Sequence, residues 1–234
     1  MPILRESSTL YSSYLENIAP LMNYDVSRDR IVANYILEHI DCSLVRRTLE
    51  DARNLVASIG RVVIIGPDNN RNRYTSIIGD SKAVIIGANG VSWLFYTETG
   101  VMPHIIVTDL DGPLQLYQEA MEYGGILALH PHGDNQYRFT TLHSILDYNR
   151  IILTSQVEEY GCTVNVGGFT DGDRAVYLSH FLGAKEIHIC CFSKKPVDKH
   201  KQVSGPLKRR KLEIAWSLIE QLKNKGDVKI VFTS

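Results

Sequence analysis

Short aliphatic runs recur along the chain: Val62–Ile65, Ala83–Ile86, Ile105–Val107, Ile126–Leu129, Ile151–Leu153, Ile187–Cys191 and Val228–Phe232. Most are apolar at consecutive rather than alternate positions, His188 and Lys229 interrupting the last two, the pattern of strands covered on both faces. Polar or periodic stretches of helix length separate them. The alternation predicts an α/β fold, a doubly wound, mostly parallel sheet flanked by helices. It persists to the C-terminus, with no repeat, low-complexity tract or long linker. The beginning of the chain has a different texture. Asp25-Val26-Ser27 offers a cap ahead of apolar positions Ile31, Val32, Tyr35, Ile36 and Ile40. A second helical period runs through Leu44, Val45, Leu49, Leu55, Val56 and Ile59 and stops at Gly60. The expected division is an N-terminal helical segment over 1–60 and an α/β domain over 61–234.

Composition narrows the partners. A net charge of −1 over 234 residues gives no footprint for nucleic acid. No apolar run approaches the roughly 18 to 20 residues of a membrane span. The start, Met1-Pro2-Ile3-Leu4-Arg5-Glu6-Ser7, has no charged leader followed by an apolar region, so a cytoplasmic protein is expected. The four cysteines (Cys42, Cys162, Cys190, Cys191) form no Cys-x-x-Cys pair, which argues against structural zinc. Cys190 and Cys191 fall in an apolar run, where buried reduced thiols are the rule.

The chemistry gathers at the ends of the runs. In open parallel sheets, ligands bind at the carboxyl ends of strands, near a topological switch point. Gly66-Pro67-Asp68-Asn69-Asn70 follows the first run and Gly87-Ala88-Asn89-Gly90 the second. Thr108-Asp109-Leu110-Asp111-Gly112 follows the third, and His130-Pro131-His132-Gly133-Asp134-Asn135 the fourth. Residues two apart in an extended chain share a side, so Asp109 and Asp111 are expected to converge. Two carboxylates that close repel unless a proton or cation lies between them, and oxygen-only ligands suit Mg²⁺. Taken alone, Asp-x-Asp is equally the signature of a capping or Asx turn.

The other motifs carry rival readings too. Gly87 and Gly90 could bring backbone N–H groups to a phosphate, or simply allow a strand-to-helix turn. No Gly-x-Gly-x-x-Gly fingerprint or Walker lysine accompanies them. His130 and His132 have zinc-hydrolase spacing, but the adjoining Asp109 and Asp111 are hard oxygen donors, which favours phosphate contacts for the histidines. Asp134 and Asn135 then orient substrate. Thr170 and Asp173 read as a helix cap. Arg174, unfavourable at a helix's positive end without an anion nearby, is the candidate phosphate fork. Asp171 joins the acidic cluster or binds the organic half of the substrate. From Lys194 to Lys211 the chain holds Lys194, Lys195, Lys199, Lys201, Lys208, Arg209, Arg210 and Lys211 against Asp198 alone. A solvated face is the usual meaning of such a run. Here a basic loop from Ser193 to Pro206 is expected to close over a polyphosphate, with Lys208 and Lys211 as its fixed part.

Three motifs in this order, Val107-Thr108-Asp109-Leu110-Asp111-Gly112, His130-Pro131-His132-Gly133-Asp134-Asn135 and Gly167-Gly168-Phe169-Thr170-Asp171-Gly172-Asp173-Arg174-Ala175, resemble the archaeal 6-hydroxymethyl-7,8-dihydropterin diphosphokinases, the MptE-like family. The resemblance covers nearly the whole chain. It implies transfer of a diphosphoryl group from Mg²⁺-ATP to the pterin hydroxymethyl group, releasing AMP, in folate or methanopterin biosynthesis. It also implies a fold similar to that of thiamine pyrophosphokinases. On this reading Asp109 and Asp111 hold Mg²⁺, and His132 or Asp134 takes the hydroxyl proton. Arg174, Lys208 and Lys211 neutralise phosphates, while Gly87, Asn89, Gly90, His130, Asn135, Thr170, Asp171 and Asp173 line the ATP and reduced-pterin sites. Two departures stand out. Asn89 occupies a position where thiamine pyrophosphokinases carry an aspartate, and Pro131 is expected to tilt His130 against His132.

Three rival functions are separable. A thiamine pyrophosphokinase would end in an all-β half, whereas strand and helix alternate here through residues 150–234. A nucleotide-sugar-binding domain related to motility-associated glycosyltransferases would come with further domains. A non-catalytic nucleotide-binding module would bind ATP and form no AMP. The N-terminal helices offer a surface for a homodimer.

Overall fold

A computed structural model describes residues 14–67, 82–133, 135–192 and 205–233, together with Tyr74 and Ile77. Asp134 and most of the basic loop from Ser193 lie outside the described residues, as does the end of the turn after Gly66.

Eight strands form one sheet: β1 (Arg61–Ile65), β2 (Val84–Ala88), β3 (Ile105–Thr108), β4 (Ile126–Leu129), β5 (Ile151–Thr154), β6 (Thr163–Val164), β7 (Glu186–Cys190) and β8 (Lys229–Thr233). Their order is β6-β5-β4-β3-β2-β1-β7-β8, and every pairing is parallel. Each expected apolar run lies in or against a strand. Only β6 is new, its two residues too short to show a period.

Right-handed crossovers sort the helices. The chain lays β2 to β6 to one side of β1, packing α3 (Asn89–Thr99), α4 (Leu114–Glu122) and α5 (Gln136–Leu142) against one face. It then returns to add β7 and β8 beyond β1, so α6 (Asp171–Phe181) and α7 (Pro206–Lys225) cover the opposite face. Alternate residues of each strand serve the two cores. Val62, Ile64, Val84, Ile86, Ile105 and Val107 pack under α6 and α7, while Ile106, Leu127, Leu129 and Leu153 meet α4 and α5.

The lead-in helices dock on this sheet. In α1 (Val26–Leu37), Asp25 accepts the Ser27 N–H as N-cap. Val32 and Ile36 face the core, but Ile31 is 61% exposed, so the apolar stripe is narrower than its sequence spacing implied. In α2 (Cys42–Ile59), Ala52 and Val56 reach the α6 core, and Gly60 ends the helix at φ +76°, a left-handed geometry glycine adopts without strain. Cys42 and Cys162 are disulfide-bonded, 120 residues apart in sequence, tying the start of α2 to the segment before β6. Cys190 and Cys191 are reduced and buried, as expected. Among the described residues no helix is long and apolar enough to cross a membrane.

The strand order reverses between β1 and β7. There the Gly66 N–H donates to the Cys190 carbonyl at 2.8 Å, and a Cβ at residue 66 would stand 2.2 Å from the Phe192 ring. The turn that follows β3 lies two strands from that point. The return crossover explains where the helix before β7 begins. From β6 to β7 it must pass six strand spacings, about 29 Å at ~4.8 Å each. The 11 residues of α6 span only about 16 Å. The segment from Asn165 to Thr170 covers the remainder, so α6 starts near β3 and runs across β3, β2 and β1.

Candidate active site

The turn after β3 converges its carboxylates by a route the sequence argument did not foresee. The chain is not extended through Leu110, which adopts φ +65° with its side chain buried. That left-handed residue is held by local bonds. The Leu110 N–H donates to Thr108 Oγ1 at 2.8 Å, the Asp111 N–H to Asp109 Oδ1 at 3.2 Å, and the Gly112 N–H to the Tyr117 hydroxyl at 2.8 Å. Arg138 clamps the Leu110 carbonyl at 3.1 Å from α5. Asn89, itself at φ +39° at the head of α3, donates from Nδ2 to Asp109 Oδ1 at 3.2 Å and accepts from Thr108 Oγ1 at 3.1 Å. Asp109 therefore closes an Asx turn and remains part of the acidic cluster. The turn and the carboxylate cluster are compatible in one geometry.

A third carboxylate arrives from the other side. The start of α6 brings Asp171 to the β3 turn, and one oxygen each of Asp109, Asp111 and Asp171 lie within 4.8 Å of one another. Arg174, only 2% exposed, donates from Nη1 to Asp171 Oδ1 and from Nη2 to the Phe169 carbonyl, both at 3.3 Å. Its Nε is buried with no hydrogen-bond partner. The anion that Arg174 required at a helix N-terminus is thus in part Asp171 itself. Gly168, at φ +82°, is required here, because a Cβ would stand 2.5 Å from the Arg174 Cα. Asp173 is fully buried and committed to capping: it accepts from the backbone N–H groups of Phe169 and Thr170 and from the Thr170 hydroxyl.

The loop after β4 supplies the histidines. His130 is buried, its Nδ1 3.2 Å from Thr154 Oγ1, a hydroxyl that donates to the Leu129 carbonyl. Nδ1 therefore carries the proton and Nε2 is an acceptor, buried and without a partner. Burial holds this ring's pKa well below the usual histidine range, with Arg174 and His132 adding to the effect. The rings of His130 and His132 lie 6.3 Å apart and within 28° of parallel, so Pro131 does not splay them as expected. Asn135 is a brace: its Nδ2 donates to the carbonyls of Asp109 at 2.9 Å and His130 at 2.8 Å, and its Oδ1 accepts the His132 N–H.

These elements enclose a cleft of about 200 Å³ lined by Tyr24, Asp109, His130, His132, Gln156, Phe169, Thr170, Asp171, Arg174 and Lys211. Asn89 and Asp111 adjoin it through Asp109 and Asp171, whereas Gly87 and Gly90 are not among its lining residues. Gly87 sits where a Cβ would strike Ser92 Oγ at 2.2 Å, a packing need, whereas a Cβ at Gly90 would meet nothing within 4 Å. Lys208 is exposed and outside the cleft lining. Tyr24 and Gln156 had no sequence signal, being single residues in loops that only the fold brings together, and Phe169, though inside the third motif, was given no role.

The donors fit a hard divalent cation. Asp171, ordinarily near 3.8, is pushed up to about 7 by burial first and by Asp109 next, with Arg174 and Asn89 opposing. The triad is crowded with negative charge that a cation would relieve. Between about pH 4 and 7 the folded chain keeps a proton on Asp171 that the unfolded chain has released. Metal-free stability therefore falls as pH rises through that window. Relative to Asp171→Asn, the metal-free wild type should lose melting temperature between about pH 5 and about pH 8, and a divalent cation should restore more of it at the higher pH. Parallel melts of the two proteins across that range would mean the carboxylates are not crowded.

A parallel sheet presenting clustered carboxylates and a buried guanidinium on its carboxyl rim has the charged groups that a phosphoryl-group-transferring enzyme uses. No family model matches the chain. Curated relatives do. It is 38% identical over 160 residues, covering 64% of this chain and 68% of the relative, to the 6-hydroxymethyl-7,8-dihydropterin pyrophosphokinase of Methanothermobacter thermautotrophicus. The protein of that name from Pyrococcus furiosus is 30% identical over 233 residues, 94% of this chain and 96% of the relative. The one from Methanocaldococcus jannaschii is 27% identical over 247 residues, 97% and 99% respectively. The chain belongs to the 6-hydroxymethyl-7,8-dihydropterin pyrophosphokinase family.

Proposed function

We propose that this chain transfers the diphosphoryl group of Mg²⁺-ATP to 6-hydroxymethyl-7,8-dihydropterin, giving the pterin diphosphate and AMP. The observation that carries the reading is the convergence of Asp109, Asp111 and Asp171 beside buried Arg174, in a chain with relatives of that name. Asp109 and Asp111 would hold Mg²⁺, with Asp171 beside them. When bound, the ion would neutralise charge on the nucleotide's phosphoryl oxygens.

The chain's own residues do the positioning. Tyr24 and Phe169, rings 6.0 Å apart, form an apolar wall of the cleft against which the flat pterin ring would pack. His130 Nε2 and the Gln156 side chain, whose Nε2 already donates to the Phe169 carbonyl at 3.0 Å, face that ring with polar groups. Thr170 edges the same wall, and Asn135 keeps the β3 and β4 turns in register. The nucleotide's phosphates lie along the rim at Asn89 and Gly90, at the first N–H groups of α3, where among the described residues a Cβ at residue 90 would meet nothing within 4 Å. Arg174 and Lys211 neutralise the transferring phosphates at the cleft mouth, with Lys208 further out. Asp134, outside the described residues, belongs to the same loop. The reading includes a cytoplasmic location, and a homodimer would use the exposed Leu21 and Ile31 of the N-terminal helices.

The test offers reduced hydroxymethylpterin and thiamine separately with Mg²⁺-ATP. AMP and pterin diphosphate should form with the first alcohol only. AMP release with thiamine, or none with either, would reject the assignment.

A further inference from the structure

Asp29 sits in α1, far in sequence from every motif, yet it is only 4% exposed. Its Oδ1 accepts from His132 Nδ1 at 3.0 Å and from the Gly133 N–H at 2.8 Å. The approach is built. A Cβ at Gly133 would stand 2.6 Å from the Arg28 Cβ, so the loop after β4 can lie this close to α1 only with glycine there. Tyr24 and His132 also make an edge-to-face contact, ring centroids 5.6 Å apart and planes at 82°, which further holds the imidazole.

An ionised carboxylate only accepts hydrogen bonds, so His132 Nδ1 must carry the proton. In the neutral ring the basic lone pair is then on Nε2, the nitrogen on the opposite side from Asp29. His132 lines the cleft together with Asp109, Asp171 and Arg174. We propose that Asp29 is the positioning residue that makes His132 the proton acceptor of the transfer, an inference resting on the diphosphotransferase reading. The substrate hydroxyl oxygen bonds to the β-phosphorus while the bond from that phosphorus to the α,β-bridging oxygen breaks, its electron pair leaving with AMP. The hydroxyl proton passes to His132 Nε2, and the imidazolium formed is balanced by Asp29 through Nδ1–H. The N-terminal helical segment is therefore part of the catalytic apparatus.

The conservative variant is Asp29→Asn, whose amide oxygen can keep both hydrogen bonds while removing the charge. It should lower kcat roughly tenfold to a hundredfold with KM for ATP little changed. His132→Gln should lower kcat at least as far, and Asp29→Asn placed in the His132→Gln background should cost nothing more, because a residue acting through another is silent once that partner is gone. A kcat within twofold of wild type for Asp29→Asn, or an undiminished loss in the double variant, would overturn the proposal and leave Asp29 a loop anchor. Nitrogen NMR of the ring needs no turnover: His132 should show a protonated Nδ1 in the wild type and a mixture in Asp29→Ala. A protonated Nε2 in the wild type rejects the pairing even if the enzyme is active. A correct tautomer in a protein that forms no AMP rejects the diphosphotransferase reading instead.

Discussion

Asp109→Asn is expected to lower AMP release by roughly two to three orders of magnitude and to leave the fold intact, with a metal-free melting temperature equal to or above that of the wild type. The two halves of this expectation come from one geometry. Asp109 Oδ1 accepts the Asn89 amide and the Asp111 N–H, and the oxygen of an asparagine can keep both bonds, so the β3 turn survives. Removing a negative charge from three crowded carboxylates relieves repulsion in the metal-free protein. A bound cation contributes several kcal/mol of charge stabilisation to phosphoryl transfer, and each ~1.4 kcal/mol is a factor of ten in rate. Weakening its seat should therefore lower turnover by roughly a hundredfold to a thousandfold. Activity assays beside thermal melts check both parts. A variant that loses activity only because it unfolds would contradict the account.

Arg174→Met is expected to damage both activity and stability, with a pH signature that separates it from ordinary core disruption. The guanidinium is buried and partly offsets the charge of Asp171. Without it, Asp171 rises above about 7, and the folded chain must either hold an unpaired charge or take up a proton. Breaking a buried pair on one side costs about 3–5 kcal/mol. The sign follows from the raised carboxyl: the penalty is complete above the folded value and is relieved as pH falls below it. The loss of melting temperature should therefore be larger near pH 8 than near pH 5, where Asp171 is neutral in any case. Arg174→Lys keeps the charge and should recover much of the stability, but not the two-pronged phosphate contact, so its turnover stays at least tenfold down. Equal destabilisation at both pH values would mean that Arg174 serves packing alone.

The sheet was legible in the chain because its central strands are apolar at consecutive positions, the pattern that burial on both faces imposes, and helix-length segments separate them. The edge strand β6 was not, since Thr163 and Val164 are too few to show a period. The outward turn of Ile31 was hidden for a related reason: spacing names a stripe, but only packing sets its width. The acidic turn was found through its sequence, yet by an argument from an extended chain that Leu110 at φ +65° does not satisfy. What brought the carboxylates together is a left-handed turn pinned by Thr108, Asn89 and Tyr117. Asp171 could be named as a candidate but not located, because its position depends on how far the return crossover must travel. Asp29 and Tyr24 were invisible. Each is one polar or aromatic residue on a helical lead-in, and nothing local distinguishes a cleft residue there from a solvated one. The Cys42–Cys162 bond escaped for the same reason, as no spacing rule reaches a partner so distant.

The claim on which the rest depends is that Asp109, Asp111 and Asp171 form one cation site. Calorimetric titration of Mg²⁺ into wild type, Asp109→Asn and Asp171→Asn, all shown folded by circular dichroism, measures it directly. Saturable binding in the wild type that is lost or strongly weakened in both variants is the expected result. Binding that persists unchanged in either variant, or none in the wild type with ATP present, would contradict the account.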